Sequence, residues 1–186
     1  MQPVPIEFPV EGIDDGEIRL RLIAEADLAA LIEAVQDPEV PRWTRIPSPY
    51  GEAEAREWLD HEAHLRDSGE GLATLIVDVE TDELLGGIGL VHVNWEEART
   101  EVGYWLARGA RGRGAMTRAV RVFSRWVLDN LPIERLAILA AVENARSRAV
   151  AERAGFTFEG VLRSYIVFKD GRHDAAAYSL LRDDLD

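Results

Sequence analysis

Between Glu101 and Val120 an alternating apolar segment, Glu101-Val102-Gly103-Tyr104-Trp105-Leu106, runs through the loop Arg111-Gly112-Arg113-Gly114 into residues with helical spacing. The pattern predicts a strand, a glycine turn and a helix. Such a junction gathers free backbone N–H groups and the positive end of a helix dipole around one small volume. That volume is a seat for phosphate, and Arg108, Arg111 and Arg113 bring charge that pairs with phosphate oxygens. The same unit constrains topology. A strand, a crossover helix and a second strand, from Glu101 to Val142, require parallel pairing inside any sheet that contains them.

The segments on either side extend this frame. Glu17 to Ile23 alternates as a half-buried strand, and Leu28, Leu31, Ile32 and Val35 fall at helical spacing up to Asp37-Pro38. Pro41 to Tyr50 reads as an irregular loop whose prolines exclude both regular structures while Trp43 and Tyr50 stay available for contact. A second helix spans about Glu52 to Arg66, with His61 and His64 on a solvated face. Leu72 to Val79, Leu84 to Val93 and Arg99 to Leu106 read as an antiparallel meander, with Gly86, Gly87 and Gly89 marking close backbone approach. The helix after the loop turns Met116, Ala119, Val120, Phe123, Trp126 and Val127 one way, and Arg118, Arg121, Ser124 and Arg125 the other. Arg135 to Val142 suits a buried strand, Asn144 to Ala154 a helix capped by Asn144, and Phe156 to Leu181 a hairpin around Asp170-Gly171. The fold class is therefore α+β, a mixed, mostly antiparallel twisted sheet of about seven strands with about four helices.

Length and composition narrow the function. A chain of 186 residues fits one domain, 1–186, in which 1–15 is an extended Pro-rich lead. Absence of cysteine excludes thiolate nucleophiles and disulfides, and no apolar run approaches membrane-spanning length, so a cytoplasmic protein is expected. The net charge of −13 argues against a nucleic-acid surface. Its distribution is uneven: residues 1–100 hold 23 acidic and 7 basic side chains, whereas 101–186 are slightly basic. Two ligands of opposite sign fit that division, a phosphorylated carrier and a cationic acceptor. A solubility role fits it as well.

Familiar phosphate loops fail on specific residues. Gly109 and Gly114 have the spacing of a nucleotide-triphosphate loop, but Ala115-Met116 stand where lysine and a hydroxyl residue belong. Gly112-x-Gly114 is followed by Thr117 in place of the third dinucleotide glycine. Arg111-Gly112-Arg113-Gly114-Ala115-Met116 instead resembles the acetyl-CoA loop, Arg/Gln-x-x-Gly-x-Gly/Ala, of the GNAT acetyltransferases. Glu101 to Leu106, Glu143-Asn144-Ala145-Arg146-Ser147, Glu152-Arg153-Ala154-Gly155-Phe156 and Glu159-Gly160-Val161-Leu162-Arg163 resemble the branch containing the Rim-type ribosomal-protein N-terminal acetyltransferases. Met116 departs from the loop motif, and Ala151 stands where many members carry a tyrosine that protonates the leaving sulfur.

The resemblance implies direct acetyl transfer from acetyl-CoA to a primary amine, without metal. The expected pyrophosphate seat is Arg111, Gly112, Arg113, Gly114, Ala115, Met116 and Thr117; backbone N–H groups of Trp105 and Leu106 hold the pantetheine arm and polarise the thioester. Glu101 is the expected base and Ser147 the hydrogen-bond donor to the departing sulfur, while Asn144 is either a helix cap or a cofactor contact. Trp43 and Tyr50 are the candidate acceptor contacts, and the acceptor is a peptide N-terminus, with a polyamine or aminoglycoside-like amine as the alternative. A catalytically weak acyl-CoA-binding protein, or a phosphate-ligand domain unrelated to acyl transfer, are the competing classes. Exposed sheet edges lead us to expect a homodimer.

Overall fold

The structure, a computed structural model, describes residues 3–185; Met1, Gln2 and Asp186 lie outside the described residues. Eight strands form one sheet: β1 (Ile13–Asp14), β2 (Ile18–Arg21), β3 (Leu72–Asp78), β4 (Leu84–Asn94), β5 (Arg99–Leu106), β6 (Arg135–Ala141), β7 (Thr157–Phe168) and β8 (Gly171–Leu181). Their order is β1-β2-β3-β4-β5-β6-β8-β7, and β5 with β6 is the parallel pair among antiparallel neighbours. The extra strand, β1, comes from the lead. That lead is fastened to the body: Ile6 and Phe8 are buried, and the Phe8 ring meets Trp126 edge-on with centroids 4.7 Å apart.

Among the described residues five α-helices cover the two faces: α1 (Leu28–Val35), α2 (Glu39–Trp43), α3 (Glu52–Ser68), α4 (Ala115–Asn130) and α5 (Ala145–Arg153). One face packs on α4 and α5 through Met116, Val120, Phe123, Val127 and Ala151, and the other packs on α1 to α3 through Leu28, Leu31, Val35, Tyr50 and Ala55. No helix among the described residues is long and apolar enough to cross a membrane.

Three expectations change. Pro41 does not bar a helix, because it is the third residue of α2, where its missing N–H has no intrahelical acceptor to lose. Ser124 is fully buried rather than on the polar face, since α4 is enclosed over more than its apolar stripe. Residues 25–27 form a separate 3-10 turn before α1 rather than its first turn. Where β4 and β5 meet, glycine is required by contact: a Cβ on Gly87 would lie 2.7 Å from the Trp105 indole nitrogen.

The amphipathic helix α4 anchors the sheet, and Phe123 is its fully buried midpoint. Phe123→Ala is expected to cost about 3–5 kcal/mol of stability, read as a lowered urea midpoint with an unchanged slope.

Candidate active site

β5 keeps its pairing with β4 through Gly86↔Leu106, and β6 keeps its pairing with β8 through Ala141↔Ala175. Between β5 and β6, however, pairing ends at Glu101↔Ala137. Beyond that point the two strands part, and a cleft of about 2400 Å³ opens through the sheet from one helical layer to the other. Val102 to Leu106 and Ile138 to Ala141 form its facing edges.

Alternation along β5 decides which groups enter the gap. The Ala107 N–H donates to Leu85 O at 2.8 Å, and Arg111 donates from the opposite side to Leu106 O at 3.0 Å. In a regular antiparallel ladder the Gly103 and Trp105 amides then face β4, and those of Tyr104 and Leu106 face the gap. Trp105 thus meets the cleft with its indole, while the sequence reading overlooked the Tyr104 amide. Side chains alternate as well: Tyr104 and Leu106 pack toward α4 and α5, Trp105 toward the layer of α1 to α3.

The helix end at the cleft is open. Gly112 and Gly114 have φ of +80° and +81°, a left-handed conformation in which a Cβ is strained, although space around both is free. Gly114 occupies the N-cap of α4 without a side-chain cap, and the first intrahelical bond recorded there is from Arg118 N–H to Gly114 O. The N–H groups of Ala115, Met116 and Thr117 precede it, and all three residues line the cleft. The Met116 side chain is buried in the core.

The three arginines separate. Arg108 lines the cleft; Arg111 lines it too but is ion-paired with Asp37 at 2.9 Å. Arg113 does not line this cleft; it faces a small depression with Asp78 and Glu80, because the left-handed glycines on either side turn it outward. Arg146, which the sequence reading quoted but assigned no role, borders the cleft and lies 3.9 Å from Glu39. Asp37, just before α2, and Glu39, its first residue, therefore pair with arginines of two different segments that line the cleft.

At the start of α5 the Asn144 side chain accepts the Ser147 N–H at 3.1 Å, so its carboxamide oxygen acts as the helix cap. Ser147 lines the cleft, and its Oγ lies 3.0 Å from the Tyr104 hydroxyl, which also donates to Ser147 O at 3.2 Å. Burial pushes the Tyr104 phenol up to about 12, so it keeps its proton at neutral pH. Ala151 is the fully buried residue of α5.

Glu101 sits at the fork, the last residue of β5 paired to β6, and lines the cleft. Burial raises its pKa, with Arg45 partly opposing the shift. The arm of the cleft on this side is walled by one face of α3, with Glu54, Glu57, Trp58, His61 and Glu62. Burial raises the pKa of Glu62 as well. Trp43 is half-buried, edge-on to Phe168 at 6.1 Å, with the Arg42 guanidinium 4.7 Å above its ring. Tyr50 also lines the cleft but is 8% exposed, its phenol pushed up to about 12 by burial and by Glu54, so it is part of the wall.

Comparison with known proteins agrees with this geometry. YdaF of Bacillus subtilis (strain 168), named as a candidate ribosomal N-acetyltransferase, is 32% identical over 173 residues, covering 89% of this chain and 91% of its own. The ribosomal-protein-serine acetyltransferase of Escherichia coli (strain K12) is 28% identical over 113 residues, 61% of this chain and 63% of the relative. The crystal structure of the Microcin C7 self immunity acetyltransferase MccE, in complex with acetyl-CoA and AMP, superposes with a TM-score of 0.85 at 22% identity, covering 94% and 98% of the two chains. With a sheet forked at Glu101, an uncapped helix beside the fork, and the Acetyltransferase (GNAT) domain matched over residues 17–157, the chain belongs to the GNAT acetyltransferase family.

Proposed function

We propose that this acetyltransferase transfers an acetyl group from acetyl-CoA directly to a primary amine, most specifically the N-terminus of a peptide or protein, with residues 1–186 working as one cytoplasmic domain. The observation that carries the reading is the uncapped N-terminus of α4 opening on the gap between β5 and β6. Unpaired N–H groups at a helix start, left-handed glycines before it, and a cleft leading away along free strand edges fit a pyrophosphate with an extended arm attached. Bound acetyl-CoA supplies the activated thioester.

The chain's own residues divide the remaining work. Gly112, Gly114 and the amides of Ala115, Met116 and Thr117 seat the phosphates, and Arg108 adds charge at the mouth. Arg111 acts through its bonds to Leu106 O and Asp37, holding the loop against β5. Leu106 and Tyr104 direct amides at the arm and the thioester oxygen. Asn144 fixes the first turn of α5, and Ser147 donates to the departing sulfur. Glu101 takes the proton that the amine must lose, and its raised pKa keeps it a stronger base than a solvated glutamate. Trp43 and the carboxylates of α3 form the acceptor wall, and that negative charge favours a cationic amine.

The same carboxylates favour, as the second reading, a small polyamine-like acceptor entering along α3. A thiol-release screen with acetyl-CoA decides, using peptides grouped by first residue beside a panel of small amines. Preferential turnover of peptides is expected; preferential turnover of diamines moves the assignment to the second reading, and acetyl-CoA binding without release for any amine overturns catalysis. The apolar exposed positions of the edge strand β7, among them Val161, Tyr165 and Val167, support pairing of two copies.

Two further outcomes follow. Glu101 must be ionised to act, and its pKa lies above the usual 4.5, so kcat/KM falls toward acid at a pH higher than a solvated glutamate would give. Glu101→Gln is expected to abolish that limb and lower kcat/KM roughly 100-fold. Gly114→Ala places a side chain at φ +81°. It is expected to raise KM for acetyl-CoA about 10-fold with kcat nearly retained, as measured by saturation kinetics.

A further inference from the structure

Ala151, buried on α5, leaves no tyrosine there to assist the departing sulfur, but of the tyrosines that line the cleft Tyr104 of β5 reaches Ser147. Tyr104 arrives on β5, in the half of the sheet that ends at β1, whereas Ser147 arrives on α5, which follows β6 in the other half. Their hydroxyls lie 3.0 Å apart, and both residues line the cleft. Tyr178, the other buried tyrosine near α5, is already committed: it donates to Glu152 at 3.0 Å and accepts from Arg148 at 3.3 Å, and it does not line the cleft.

We propose that Tyr104 is a positioning residue for Ser147, its phenol donating to Ser147 so that the serine O–H is left to point at the acyl donor's sulfur. The hydrogen-bond inventory carries the argument. A phenol that keeps its proton must donate it, and within reach it has the Ser147 carbonyl at 3.2 Å and Oγ at 3.0 Å. With the first acceptor, Tyr104 fixes the turn that carries Ser147. With the second, it fills a lone pair of Oγ and polarises its O–H outward. The Ser147 N–H is held separately by Asn144; when the phenol donates to Oγ the serine hydroxyl hydrogen is left to face the cleft, whereas donation to the carbonyl leaves Oγ to donate back to the phenol. As the amine nitrogen bonds to the acetyl carbon and the C–S bond breaks, the electron pair of that bond stays on sulfur and the Ser147 O–H donates to it. The sulfur's proton then comes from solvent, and the proton lost by the amine leaves on Glu101. Tyr104 thus supports, from the opposite side of the gap, the serine that acts where Ala151 offers no hydroxyl.

The proposal rests on the role given above to Ser147, and the test separates the two. Ionisation of the thiol of bound coenzyme A is followed by ultraviolet thiolate absorbance across pH for the full chain and for Tyr104→Phe, Ser147→Ala and the double variant. Affinity for desulfo-coenzyme A serves as the control for an intact site. The expected result is that each single variant raises the pH of ionisation by about one unit, the double variant raises it no further, and desulfo-coenzyme A binding is unchanged. In parallel, kcat falls about 10-fold in each single variant while KM for acetyl-CoA holds. If Ser147→Ala shifts the ionisation and Tyr104→Phe does not, or if the two shifts add, the positioning role is wrong. If neither variant shifts it, the assignment of Ser147 falls and this proposal with it. Loss of desulfo-coenzyme A affinity in Tyr104→Phe would make Tyr104 a structural support and would also overturn the proposal.

Discussion

The separation of β5 from β6 after Glu101 is the constraint on which the rest depends. Each strand remains fully paired on its outer side, so the sheet loses hydrogen bonds only along the inner edges of a few residues. Backbone groups left without a strand partner are costly when buried and dry, and useful when a ligand supplies the missing acceptors and donors. A polar, extended arm carrying amides of its own answers that need. The fork therefore converts a structural deficit into a binding edge.

Holding such a fork open requires contacts across it, and the structure places several there. Tyr104 reaches from β5 to Ser147 of α5, while Asp37 and Glu39 near α2 reach Arg111 and Arg146. The chemistry of these bridges differs. The hydroxyl contact, 3.0 Å long and partly buried, joins two residues that line the cleft. The carboxylate contacts lie at the mouth, where a polyanion would compete for the same guanidinium groups. Asp37 meets Arg111 at 2.9 Å, against 3.9 Å between Glu39 and Arg146, which makes it the closer of the two pairs.

Polarity across the sheet follows from strand alternation. Odd residues of β5 turn Glu101 and Trp105 toward the acidic layer of α1 to α3, and even residues turn Tyr104 and Leu106 toward α4 and α5. In the proposed function one strand thereby serves both substrates, with Glu101 on the acceptor side and the Tyr104 and Ser147 hydroxyls on the other. The uneven charge of the chain matches that division, since the carboxylates of α3 come from the acidic first half and the glycine-arginine loop proposed as the phosphate seat from the basic second half.

By itself the sequence determined the elements whose signals are local. The limits of β5, the glycine turn, α4 with its apolar stripe, the Asn144 cap and the closing hairpin all follow from periodicity, left-handed glycine and capping chemistry between near neighbours. The short helix α2 was hidden because a proline in a first turn looks the same in sequence as a proline that breaks a helix. Tertiary structure alone decided which groups face the gap. Arg113 turns away while Arg111 is held by Asp37, the Trp105 amide is spent on β4, Met116 is buried, and Tyr104 meets Ser147 from 43 positions away. Those outcomes depend on ladder parity and on where β5 and β6 part, which are set by long-range pairing and leave no local trace in the residues themselves.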